Sequence, residues 1–113
     1  MPTPAQEVLQ SLQRQHAALF EKMGTVTDPK LGQAIMLESQ EIVHRMLIAQ
    51  NVVLKEAAAQ VDEALAGVRE TDKQLQADLQ QITDAADFIG KVTKYLGFVD
   101  DVLDGIKKVA AFV

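Results

Sequence analysis

Glu41-Ile-Val-His44 sets a carboxylate and an imidazole three residues apart, which on a helix brings them to one side. In a helical bundle that spacing supplies half of a two-metal carboxylate site. The other half is a second Glu-x-x-His with two further inward Glu. The only other histidine, His16, has Gln13 three residues before it, so the second half is missing. No metal and no cofactor are expected. His16 stands on an apolar stripe between Leu12 and Leu19, the setting of a boundary histidine rather than a pH switch. Ser11, Ser39 and Thr25 are the hydroxyls nearest the histidines, and none lies in a nucleophile-elbow context. Adjacent acids such as Asp62-Glu63 and Asp100-Asp101 point to different helix faces and read as solvated charge. No acid–base or nucleophilic set can be assembled, so enzymatic activity is not expected.

The absence of Cys removes disulfides, thiolate metal sites and cysteine nucleophiles together. The formal charge of −5 is unevenly spread, with eight acids against Arg69 and Lys73 in residues 56–87. An acidic centre without a basic stripe elsewhere repels phosphate backbones, which argues against nucleic-acid binding. The start, MPTPAQEVLQ, has neither a basic segment nor an apolar one of the secretory kind. A cytoplasmic address is the default expectation, with export lacking a cleaved signal left open.

The elements that must carry these residues are helical. Nearly half of the 113 residues are apolar, yet five are aromatic and none is Trp; Ala, Leu, Val and Gln supply the bulk. Thr3-Pro4-Ala5-Gln6 has the form of a capping box with Pro at the first helical position. It predicts a helix over about 4–23, ended by Gly24. Asp28-Pro29 repeats the start signal, and a second helix is expected over about 29–66. Its main apolar face is Leu31, Ile35, Ile42, Met46, Ala49 and Val53. Gly67 and the polar residues after it predict an antiparallel hairpin turn near 67–71, with Thr71 to Gln74 as the next cap. The rival is one continuous helix, since the heptad phase 61, 65, 68, 72, 75, 79 and 82 runs through the gap.

A narrow seam of Leu75, Leu79, Ile82, Ala86 and Ile89 follows, and the phase shifts near Asp87. Helices are expected over about 72–96 and 98–112, with a bend near Gly97 and with Gly90, Gly97 and Gly105 on the wet side. The sum is one all-α domain over 1–113, a bundle of three to four helices around a long central second helix.

Met46 to Leu54 is uncharged and apolar in every direction at about 100° per residue, so it must be covered all round. At nine residues it is far too short to cross a bilayer, so protein must supply the cover. One chain has barely enough helix for that. The expected function is therefore a non-enzymatic, helix-mediated interaction protein that self-associates through its second helix, with a dimer favoured. The side chains expected to carry contacts are Met46, Ile48, Val52 and Val53, then Leu75, Leu79 and Ile82, then Phe88, Tyr95, Val99 and Leu103. The amides of Gln50 and Asn51 either fix register across such a pair or sit at a gap in the cover. The alternative is a membrane-surface protein using residues 88–113 as an amphipathic helix, against which stand three Asp and the lack of Trp.

Overall fold

The first helix begins with the reciprocal cap its sequence spells. Gln6 N–H donates to Thr3 Oγ1 (3.3 Å) and Thr3 N–H to Gln6 Oε1 (2.9 Å), which satisfies two backbone donors at once. With Pro4 at its first position, α1 runs Pro4–Met23 and ends at Gly24. Asp28 accepts the Lys30 N–H on its carboxylate (3.1 Å) and starts α2, Pro29–Val52. The computed structural model describes residues 3–52 and 61–111, and among these the side chains of all but 52 and 108–111. α3 spans Asp62–Asp78 and tightens into a 3-10 turn at Leu79–Gln81. Ile82 is extended, and the Asp84 carboxylate accepts the Asp87 N–H (3.2 Å) to open α4, Ala85–Ala111.

Side-chain pairs give the directions. Glu7 meets Arg69 near one end of α1 and α3, and Lys22 reaches the Gln80 carbonyl at the other, so these two helices run parallel. Leu31 lies by Ile82 and Arg45 by Asp100, so α2 and α4 run parallel too. Within the hairpins, α1 is antiparallel to α2 and α3 to α4. The packed neighbours are α1 with α2, α2 with α4, α4 with α3, and α3 with α1. This is a four-helix bundle of up-down-up-down order in which α2 and α3 stand on a diagonal. A cross-section of 23 × 21 Å along a 49 Å axis fits two helices by two at the usual spacing of about 10 Å.

The core runs along this axis. Val8, Leu12 and Leu19 come from α1, Leu31, Ile35 and Ile42 from α2, Leu65, Val68 and Leu75 from α3. Phe88, Val92, Tyr95, Val99, Val102, Leu103 and Ile106 make the α4 contribution. The apolar half of the last helix therefore docks on its own bundle.

Several boundaries differ from the sequence expectation. There is no turn at 67–71: Gly67 to Thr71 lie inside α3, and Thr71 Oγ1 donates to the Gly67 carbonyl (2.7 Å) along that helix. Gly67 is there because the Phe98 ring lies on the α3 backbone, in the space a Cβ would fill. The hairpin turn sits instead at Ile82–Asp84. α2 does not continue to Ala66, since Val61 caps α3 and α3 begins at Asp62. α4 is one helix across Gly97. Gly90 and Gly97 face open space, but Gly105 packs against Val61 and is not on the wet side. The narrow seam ends at Ile82, because Ala86 and Ile89 are exposed.

Candidate interaction surface

A buried polar group lies between α1, α3 and α4. Ser11 and Gln15, one turn apart on α1, stand in phase with the apolar stripe and are carried into the core with it. Ser11 Oγ and Tyr95 Oη share a hydrogen bond of 2.7 Å. Gln15 Nε2 donates to Asp72 Oδ1 (2.6 Å), Gln76 Nε2 to the same oxygen (2.9 Å), and Arg14 Nη2 to Oδ2 (2.7 Å). Burial alone would raise the Asp72 pKa. Hydrogen bonds from Arg14, Gln15 and Gln76 outweigh it and hold the carboxyl below its ordinary value. Burial pushes the Tyr95 phenol well above its usual range, so it stays protonated. A carboxylate already taken by three donors, 5% exposed, fastens helices together and offers a substrate nothing.

Charge pairs line the two seams between the hairpins. On one, Arg69 grips the Glu7 carboxylate; on the other, Arg45 forks onto Asp100 through Nε (2.7 Å) and Nη2 (3.0 Å). Arg45 also donates to Glu41 Oε2 (2.9 Å), so Glu41 belongs to this clamp and not to a site with the exposed His44. Glu38 alongside has its pKa raised, first by burial and then by Glu41. Among the described residues no group of three or more His, Asp or Glu is placed to hold a metal. A cleft of 430 Å³ between Ala18, Lys22, Gln76 and Gln80 carries mixed charge, and its lysine is already engaged by the Gln80 carbonyl.

These seams leave the outer flank of the α1/α2 hairpin without charge. Gln6, Gln13, Ala17 and Phe20 fall within about 60° of one another around α1 at 100° per residue, and all are exposed. Met36, Gln40, Val43 and Leu47 do the same on α2. Asp, Glu, Lys and Arg are absent from both strips. Glu7, Arg14 and Lys22 turn toward α3, and Glu38, Glu41 and Arg45 toward α4. The α3/α4 side is the reverse, with Glu70, Lys73, Lys94, Asp101 and Asp104 in solvent. Among the described residues, five of the six large apolar side chains that stand in water belong to this first hairpin: Phe20, Met36, Leu37, Val43 and Leu47.

The residues expected from sequence to meet a partner are distributed differently. Leu75, Leu79, Ile82, Phe88, Tyr95, Val99 and Leu103 are buried in the chain's own core and present no surface. Met46 and Ile48 are partly buried against that core. Val53 and Leu54 lie outside the described residues, as does the side chain of Val52. Gln50 and Asn51 are exposed, at a gap in the cover, and Leu47 is 55% exposed, so the stretch from Met46 is not covered all round by this chain. The α2 strip carries a sequence signal, since Met36, Gln40, Val43 and Leu47 recur at four and three beside the main apolar face. Phe20 carries none that separates it from the core set of α1. Compared with known protein families, curated proteins and solved structures, the chain finds no match. Among the described residues no helix is long and apolar enough to cross a membrane.

Proposed function

We propose that this is a non-enzymatic, helix-mediated interaction protein that self-associates through the exposed face of α2, in the cytoplasm by default. The observation that carries the reading is the apolar set Met36, Leu37, Val43 and Leu47, which stands in water on a face free of Asp, Glu, Lys and Arg. Scattered single apolar residues on a surface need no explanation, whereas a contiguous stripe without charge does. The buried polar group works against an enzymatic reading, because its hydrogen bonds run between helices.

The membrane-surface alternative needs Phe88, Val92, Tyr95, Val99 and Leu103 free to enter lipid. Each is buried in the bundle, and releasing them would dismantle it. Self-association is tested by sedimentation of the full chain and of Leu47→Asp at micromolar concentration. Leu47 is exposed, so the variant should keep its helical circular dichroism and fall to a monomer. A wild-type chain that stays strictly monomeric overturns the reading.

A further inference from the structure

Resting on that self-association, we infer that the joining surface is the whole outer flank of the α1/α2 hairpin, packed against the same flank of a second copy, with Phe20 of α1 as its anchor. Size argues first. The 24 residues of α2 make a strip about 36 Å long and about 10 Å wide, or about 360 Å², less than half of the about 800 Å² each partner gives a stable interface. The 20 residues of α1 add about 300 Å². Together the helices come close to the range of specific complexes, and α2 alone does not.

Charge then selects the occupant. Two copies that each carry −5 can approach closely only where neither presents acids, and this flank is such a place. Its polar groups include the amides of Gln13 and Gln40, which donate and accept equally and are therefore complementary to themselves. A basic or acidic partner would find no counter-charge on it. An anionic lipid surface would find no Lys or Arg.

Among the described residues Phe20, at 78%, is the most exposed large apolar side chain. Met23 and Val26 pack over Gly32, so Phe20, one turn before Met23, comes level with Met36, one turn beyond Gly32. An aromatic ring standing in water on a neutral stripe is the kind of residue in which protein interfaces are enriched.

The test is sedimentation of the full chain with charges introduced on α1. Phe20→Glu and Gln13→Glu should each weaken the pair about tenfold or more, with helical dichroism unchanged. Ala77→Glu, the same charge on an exposed α3 position outside the flank, should have no such effect. The wild-type mass should level off at two copies, because matching of identical surfaces closes after one contact. If both α1 variants pair as wild type while Leu47→Asp does not, the contact is confined to α2 and this inference falls alone. A mass that keeps growing with concentration overturns the like-to-like geometry. A wild-type chain that never associates removes the proposed function and this inference with it.

Discussion

Asp72 shows how one charged side chain can be committed to the interior. It sits on the apolar phase of α3, between Val68 and Leu75, and would be costly there alone. Arg14, Gln15 and Gln76 reach it from two helices, with Arg14 half in solvent to keep the pair hydrated at one end. Replacing Asp72 by Ala leaves the Gln15 amide only its longer bond (3.2 Å) to the residue-72 backbone carbonyl, and losing the charged acceptor costs about 1.5–3 kcal/mol. The expected total with the lost Arg14 bond is about 2–4 kcal/mol, read by urea unfolding. The pH dependence has a definite sign. A carboxyl held below its ordinary value of 3.8 contributes fully above that pH, and its contribution disappears as pH falls through the lower value it has in the fold. Asp72→Ala should therefore be worst at neutral pH and converge on wild type in strong acid. An unchanged deficit at both ends would show that packing, not charge, holds this position.

At the scale of the elements, two glycines in helices have opposite expected behaviour. Gly97 in α4 faces open space, so Ala there should stabilise by the helix-propensity difference of about 1 kcal/mol. Gly67 in α3 lies beneath the Phe98 ring, and a Cβ must displace it. That overpacking costs about 1–3 kcal/mol and should exceed the propensity gain, so Gly67→Ala should melt lower and Gly97→Ala higher. If both raise the melting temperature, the Phe98 contact does not constrain α3. The same pair explains which parts of the fold can be read from the chain. Caps are local: Thr3 announces α1 in four residues and Asp28 announces α2 in two. A glycine before polar residues has two physical uses, a turn or a close approach, and only a ring on another helix distinguishes them. Gly67 reads as the first and is the second. The phase shift near Asp87 was the legible trace of the true hairpin, displaced by a few residues from Asp84. Asp72 also left a trace, a carboxylate on an apolar phase, but its partners on α1 are 57 and 58 residues away and no local pattern names them.

For the whole molecule, the decisive question is where the last helix puts its apolar half. Val99, Val102, Leu103 and Ile106 are each no more than 2% exposed, and all lie beyond Gly97. Burying one such side chain is worth about 1.5–3 kcal/mol, so four contribute about 6–12 kcal/mol before the entropy of ordering the segment is subtracted. A domain's net stability is about 5–15 kcal/mol, which this loss rivals. Ending the chain at Gly97 also strips Phe98 from Gly67 and Asp100 from Arg45, leaving that guanidinium with Glu41 alone. The truncated protein should lose its cooperative thermal transition, or aggregate as the core opens, and the same material should not regain order on adding lipid vesicles. A helix whose purpose was membrane attachment would behave in the opposite way. The shortened chain would then melt as the full one does, and binding to vesicles would vanish with the removed segment. Calorimetry of the two chains, with and without vesicles, separates these outcomes, and a truncated protein that melts unchanged would mean the α4 contacts do not hold the bundle.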